Sequence, residues 1–160
     1  VKNTFQNTRY QFNRRERKTL IIDKTMNATT DFSESLIEPL IIDKHCDIFL
    51  EHFTTTGALK YDSTNETAFV LKINEFNIQN STNNQSLQNS LIIPNETSTD
   101  NVFVTKIHKG KKLNYICTIN PTKLSKISGS ITALDGSTTM FGSNGRFILE
   151  LVIIPRDDDE

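Results

Sequence analysis

The segment that most constrains the fold is residues 126–155, KISGSITALDGSTTMFGSNGRFILELVIIP. Apolar and polar residues alternate near both of its ends. The apolar positions of this alternation are Ile127, Ile131, Ala133, Phe147, Leu149, Leu151 and Ile153. A period of two is typical of a β-strand with one face in the core. Asp135-Gly136 and Asn144-Gly145 supply residues that tolerate positive φ at corners. We therefore expect two strands with a turn-rich connection, a hairpin that closes the chain.

The second strand of this segment is apolar on its other face as well, apart from Glu150. Ile148, Val152 and Ile154 occupy that face. A strand that is apolar on both faces has to be covered, either by its own chain or by a neighbour. We expect these three residues to be candidates for a subunit interface, with coverage by loops of the same chain as the alternative.

Composition favours one all-β domain. The chain has 160 residues, enough for one real core, and its formal net charge of −1 gives no strong attraction to nucleic acid or acidic membranes. No apolar run is long enough to span a bilayer. Two cysteines are too few for a disulfide framework, so Cys46 and Cys117 are expected to be buried free thiols, which suits a reducing cytoplasm.

About eight principal strands are predicted, with no segment of helical period longer than a turn or two. The nine candidate segments are residues 19–23, 32–43, 46–56, 67–76, 91–94, 102–108, 112–119 and the two ends of 126–155. This spacing predicts an eight-stranded antiparallel jelly-roll sandwich. An immunoglobulin-like sandwich is the main competitor, but the chain lacks the tryptophan of that fold. The domain is expected at 19–155, between a basic N-terminal arm at 1–18 and an acidic tail at 156–160.

Alternation also predicts which side chains face inward, among them Phe69, Leu71 and Ile73 at 67–76. In the strand at 46–56, Cys46, Ile48, Leu50 and His52 share the inner face, which leaves Phe49 and Phe53 outside as interface candidates. At 112–119, the shared face holds Leu113, Tyr115, Cys117 and Ile119, and Lys109-Gly110-Lys111 joins this strand to 102–108 as a pair. Pro39 cannot donate to a sheet ladder, so it belongs at an edge, a bulge or a bend.

Two polar segments are candidates for recognition. The arm at 1–18 interleaves aromatic and basic residues, and its interface candidates are Phe5, Tyr10, Phe12, Arg14 and Arg15. Contact with a neighbouring subunit, contact with packaged nucleic acid and a solvated terminus remain open for it. Residues 77–90, NIQNSTNNQSLQNS, predict a long exposed loop that serves either recognition or spacing.

The residue inventory gives no sign of catalysis. There is no Gly-x-Ser-x-Gly elbow and no glycine-rich phosphate loop, and His45, His52 and His108 do not recur at metal-ligand spacing. Cys46 follows His45 directly, but adjacent strand residues point to opposite faces. We expect no catalytic, cofactor-binding or metal-binding residues, and a protein that is not an enzyme.

Three stretches carry a resemblance to a known family. They are FSESLIEPLIIDKHCDIFLEHFTT, IHKGKKLNYICTINP and ISGSITALDGSTTMF followed by GRFILELVI. Together they resemble the strands of single jelly-roll capsid proteins of large icosahedral double-stranded DNA viruses. The resemblance implies a structural virion protein, assembled in the host cytoplasm, whose partners are itself and major capsid protein. It implies a homopentameric vertex (penton) protein, or else a minor cementing protein; a receptor- or glycan-recognition module that uses residues 77–90 is the other alternative.

Overall fold

The computed structural model describes residues 17–58, 64–96, 106–109 and 114–156, with residues 106–109 described by their backbone. Two short 3-10 helices, Thr64–Glu66 and Gln85–Leu87, interrupt the loops. No helix in these parts of the chain is long and apolar enough to cross a membrane. The nine strands are β1 Lys18–Thr25, β2 Asp31–Ile42, β3 Cys46–Ala58, β4 Ala68–Ile73, β5 Leu91–Pro94, β6 Lys106–Lys109, β7 Tyr115–Ile119, β8 Thr122–Thr132 and β9 Phe141–Pro155.

The strands form two antiparallel sheets that pack as a β-sandwich. Sheet A has the order β1-β9-β3, and both β6 and β7 pair with β3. β7 pairs with the first residues of β3 and β6 with later ones, so the two lie end to end in one strand position. Sheet B has the order β2-β8-β4-β5. The sequence prediction of an all-β antiparallel sandwich with eight strand positions is confirmed.

The core lies between the sheets and contains the inward residues that alternation predicts. Phe32 of sheet B contacts Phe147 of sheet A, with ring centroids 5.3 Å apart. All seven predicted inward residues of 126–155 have at most 1% of their surface exposed. The predicted inward residues of β4, Phe69, Leu71 and Ile73, are buried as well. Burial of side chains from both sheets therefore holds the sandwich together.

The predicted closing hairpin is wrong. β8 lies in sheet B and β9 in sheet A, so the two strands face each other across the core and do not pair. Asp135-Gly136 does form a turn, with Gly136 at φ +78°. Alternation reports that each strand has one face in the core, but it does not report which strand lies alongside. Two strands that face each other across a core therefore show the same pattern as a hairpin.

The predicted pairing of residues 102–108 with 112–119 is also wrong, because β6 and β7 lie end to end along β3. The pairing of β7 shifts register between Ile48 and Phe49 of β3. Ile116 and Cys117 are consequently both buried, whereas Tyr115 points outward and is half-exposed. Tyr115 does not share a face with Cys117, contrary to the prediction.

A second irregularity reverses the predicted faces in the later half of β3. The register shifts between Leu50 and His52, where Glu51 is the extra residue opposite β9. Phe53 is consequently fully buried in the core, and the prediction that it faces outward is wrong. His52, predicted to face inward, instead lies on the partly exposed outer side. A β-bulge moves every later side chain to the opposite face.

Pro39 lies at both an edge and a bulge, as predicted. β2 is an edge strand of sheet B, and its register with β8 shifts between Ser35 and Leu40. Ser35 is opposite Lys126 and Leu40 is opposite Leu124, so residues 36–39 have only Ser125 across from them. The missing N–H of Pro39 therefore costs no ladder hydrogen bond.

Residues 77–90 form a loop that is mostly exposed but more ordered than a low-complexity spacer. Ile78 is buried in the core, so the expectation that this segment buries little is wrong at that position. The side chain of Asn80 donates to the carbonyls of Leu87 and Ser90 and accepts from the N–H of Asn89. The interface candidates Phe5, Tyr10, Phe12, Arg14 and Arg15, and the tail beyond Arg156, lie outside the described residues.

Candidate interaction surface on sheet A

The outer face of sheet A carries a band of apolar side chains that crosses its strands. Thr19 of β1, Val152 of β9, Phe49 of β3 and Tyr115 of β7 are successive cross-strand neighbours. On β9, Ile148 and Ile154 extend the band to either side. On β1, Ile21 lies opposite Glu150 and so borders the band. We call Ile21, Phe49, Tyr115, Ile148 and Ile154, together with Val152 beneath them, the sheet A patch.

The patch is open to solvent at its periphery and closed at its centre. Ile21 is 57% exposed, Tyr115 50% and Ile154 37%. Phe49 and Ile148 are half-buried. Val152 is only 3% exposed although it points away from the core cluster. Large apolar side chains that remain exposed together on one face are typical of an interaction site.

Much of the outer face of sheet B is polar. Cross-strand pairs on it join Ser33 to Ser128 and Lys72 to Ser130. Val70 is apolar but fully buried, and the exposed large apolar side chains of this sheet, Ile37 and Ile41 of β2 and Ile92 of β5, lie on its two edge strands. On sheet A the apolar side chains instead continue from strand to strand, and this continuity selects sheet A as the face suited to association.

Hydrogen bonds hold Tyr115 in place. The hydroxyl of Thr118 donates to Asp47 at 2.7 Å, so the Tyr115 hydroxyl, 2.6 Å from Thr118 Oγ1, is the donor in that contact. The Tyr115 ring packs edge-on against Phe49, with centroids 5.9 Å apart. A rigid, half-exposed tyrosine loses little conformational entropy on binding, and tyrosine is enriched among the residues that dominate interfaces.

An imidazole–carboxylate contact lies within the patch, and an ion pair lies beside it. Nε2 of His52 is 2.6 Å from a carboxylate oxygen of Glu150, beside Ile21. Arg146 binds Asp23 through two hydrogen bonds, one of them from Nε at 2.6 Å. These bonds from Arg146 hold the pKa of the Asp23 carboxyl below its ordinary value. Because each of these four side chains has a partner on sheet A, the polar part of this face is ordered without a neighbouring molecule.

The sequence predicted part of this surface. Ile148, Ile154 and Phe49 lie on the outer face as expected, and Val152 points there but is buried. Sequence reasoning missed Ile21 and Tyr115. Ile21 could have been found, because Thr19 and Asp23 are its polar neighbours on the same face and it is the apolar exception. Tyr115 could not, because the register shift in β7 leaves no mark in the sequence.

The two cysteine thiols lie in surroundings that suit a structural role. Burial raises the pKa of the Cys117 thiol to about 11, and burial with nearby Asp43 also raises the pKa of Cys46. A thiol with a raised pKa is a poor nucleophile. Within the described parts of the chain, no three His, Cys, Asp or Glu side chains lie close enough together to hold a metal ion.

No protein-family model matches the chain, and no curated protein sequence matches it. Function is therefore inferred from the fold and from the sheet A patch.

Proposed function

We propose that the chain is a non-enzymatic capsid subunit that folds as a jelly roll and associates through the outer face of sheet A. Its partners are copies of itself and major capsid protein, in a virion shell assembled in the host cytoplasm. The observation that carries the proposal is the continuous band of apolar side chains that crosses the strands of sheet A on its outer face. A structural subunit needs such a surface and needs no active site.

The strand pairing supports the jelly-roll assignment. With β6 and β7 counted as one strand, antiparallel pairs join the first strand to the eighth (β1–β9), the second to the seventh (β2–β8), the third to the sixth and the fourth to the fifth. These four pairs describe one long ribbon. The pairs β3–β9 and β4–β8 then join the ribbon to itself. An eight-stranded sandwich rolled up in this way is the jelly-roll arrangement.

Within the shell, we favour the five-fold vertex as the position of this subunit. One small domain per subunit suits a five-fold ring, and a cyclic ring requires that each copy offer two different surfaces. The sheet A patch supplies one apolar surface of this kind. A minor cementing protein beneath the major capsid layer is the alternative position, and it would use the same patch against a different partner.

A recognition module that uses residues 77–90 is the second candidate function. Its support is the row of exposed polar side chains between Gln79 and Gln85. Much of the hydrogen-bonding capacity of this loop is turned inward, however, because Asn80 binds the loop's own backbone and Asn84 accepts from the N–H of Ser86. Ile78 and Phe76 anchor it in the core. We therefore favour the shell subunit over the recognition module as the function of this chain.

Native mass spectrometry of the purified chain over a range of concentrations tests the proposal. A closed ring of five copies has a mass of about 91 kDa, five times 18.2 kDa. A discrete species at that mass supports the vertex assignment. A protein that stays at 18.2 kDa at every concentration, with major capsid protein present or absent, contradicts the proposed function.

A further inference from the structure

The two long sides of the sandwich are closed to different extents. On one side, residues 74–90 pass from β4 to β5 and bury Phe76 and Ile78 in the core, and Asn77 and Gln79 of this loop lie beside β7. On the other side, the edge strands β1 and β2 leave a cleft with a volume of about 480 Å³. The sandwich is therefore sealed by its own loop on one side and open on the other.

The cleft has defined ends. At one end the Nζ of Lys18 donates to the carbonyl of Ile41. At the other end the Nζ of Lys24 lies 2.8 Å from a carboxylate oxygen of Glu34. Between these two contacts, the bulge at residues 36–39 carries β2 away from its pairing with β8. The opening is thus a product of the bulge and does not result from separation of the two sheets.

The lining of the cleft is apolar at its floor and acidic at its rim. Leu20 and Ile22 are buried there, and Leu36 and Leu40 pack against the core. Ile37 on the bulge is fully exposed. The lining includes the carboxylates of Asp23, Glu34 and Glu38. Asp23 is paired with Arg146 and Glu34 with Lys24, so Glu38 on the bulge supplies the negative charge for an added basic segment. Within the described part of the chain, β1 pairs along one edge only, with β9. An unpaired strand edge of this kind accepts an extended peptide as an added strand.

The N-terminal residues of the chain have the complementary chemistry. Residues 1–16 contain the basic residues Lys2, Arg9, Arg14 and Arg15 against the single acid Glu16, and the aromatics Phe5, Tyr10 and Phe12. They precede Arg17, which lies at the start of β1 beside the Lys18 end of the cleft. Sixteen extended residues span roughly 53 Å at about 3.3 Å each, which is enough to reach an adjacent molecule.

We propose that the β1–β2 cleft binds residues 1–16 of a second copy of this chain, added as an extended strand along β1. This inference rests on the proposed association of copies and names one contact through which they join. The aromatic side chains enter the apolar floor, and a basic side chain lies beside Glu38 on the bulge. A return of the same chain's residues would require a reversal immediately before β1, at the end of the cleft where Lys18 binds the carbonyl of Ile41, whereas the segment of a second copy enters without one.

Disulfide trapping between full-length chains tests this contact. One chain carries Tyr10→Cys or Phe12→Cys, the other carries Ile37→Cys, and the two are co-expressed so that mixed assemblies form. The matched control replaces Ile37→Cys by Ile92→Cys, which places an exposed thiol on β5, away from the cleft. Cys46 and Cys117 are buried and should not interfere. Mild oxidation followed by peptide mapping identifies the joined thiols.

We expect an interchain disulfide from the N-terminal position to Ile37→Cys in several-fold excess over the Ile92→Cys control. An assembled protein without this excess overturns the inference and leaves the proposed function standing. A double variant, Phe12→Cys with Ile37→Cys, that forms only an intrachain disulfide at every concentration also overturns it. If the chain is monomeric in the same samples by native mass spectrometry, this inference falls, and the proposed function falls only if the chain also stays monomeric with major capsid protein present.

Discussion

Phe53 of β3 and Phe69 of β4 meet between the two sheets, with ring centroids 5.2 Å apart and ring planes at 72°. Both side chains are fully buried. Edge-to-face aromatic contact adds to the large apolar area that each ring removes from water. This pair therefore fastens sheet A to sheet B, and it exists because the bulge at Glu51 turns Phe53 inward.

The first prediction concerns this pair. Phe53→Ala should lower the free energy of unfolding by about 3–5 kcal/mol, since it removes a buried ring and leaves a cavity. Phe49→Ala is the control on the same strand: its ring is half-buried on the outer face, so the loss should be clearly smaller. Urea denaturation followed by circular dichroism measures both. Equal losses for the two variants would contradict the assigned faces of β3.

Gly129 of β8 packs directly against the backbone of β4. A Cβ atom at this position would lie 1.9 Å from the carbonyl oxygen of Lys72. Gly129→Ala should therefore force the two strands apart and destabilise the fold by about 1–3 kcal/mol. Ser130→Ala, one residue along the same strand, should have little effect, because that side chain points outward. Thermal denaturation compares the two, and a wild-type stability for Gly129→Ala would contradict the packing of β4 against β8.

Asp135 predicts a specific dependence of stability on pH. Its carboxylate accepts hydrogen bonds from the hydroxyl of Thr138 and from the backbone N–H groups of Thr138 and Ser137, which lowers its pKa to about 2. An unfolded aspartate has a pKa of about 3.9. Because the folded pKa is the lower one, the ionised carboxylate stabilises the fold above about pH 4, and this contribution is lost as the pH falls toward 2.

Asp135→Ala isolates that contribution. The variant should be less stable than the wild type at pH 6, and the difference should shrink steadily between pH 4 and pH 2. Denaturation midpoints measured at a series of pH values provide the comparison. A difference that is constant over this range would mean that the carboxylate is not the source of the stabilisation.

The two thiols should be protected in the folded chain. Burial raises the pKa of Cys117 to about 11 and also raises the pKa of Cys46, so little thiolate exists at pH 8. Ellman's reagent should react slowly with the native protein and should release two equivalents per chain in denaturant. Rapid reaction of either thiol in the native protein would contradict the inward orientation of the Cys46 and Cys117 side chains.

The sequence predicts the strands of this fold better than their partners. Alternation located the inward residues of β4, β8 and β9, since a period of two reports one buried face directly. It could not report that β8 and β9 lie in opposite sheets, because strands that face each other across a core and strands that pair have the same pattern. It also could not foresee the bulge at Glu51, which depends on the fit between β3 and β9.

The candidate surface was predictable to a similar degree. Ile148 and Ile154 were found because an apolar residue on the solvent side of a strand is visible in the sequence. Phe53 was misassigned and Tyr115 was missed for one reason, a register shift within a correctly predicted strand. The β1–β2 cleft was not foreseen, although Pro39 correctly indicated where sheet pairing would be interrupted.

The central claim is that copies of this chain associate through the sheet A patch. Sedimentation equilibrium of full-length Tyr115→Glu and Ile154→Asp tests it most directly, with Ile92→Asp on the outer face of sheet B as the matched control and circular dichroism to confirm folding. We predict that each patch variant raises the dissociation constant of the oligomer at least about 30-fold, as loss of an interface hot spot does, while the control assembles like the wild type. Unchanged assembly of both patch variants, or dissociation caused by Ile92→Asp alone, would contradict the claim.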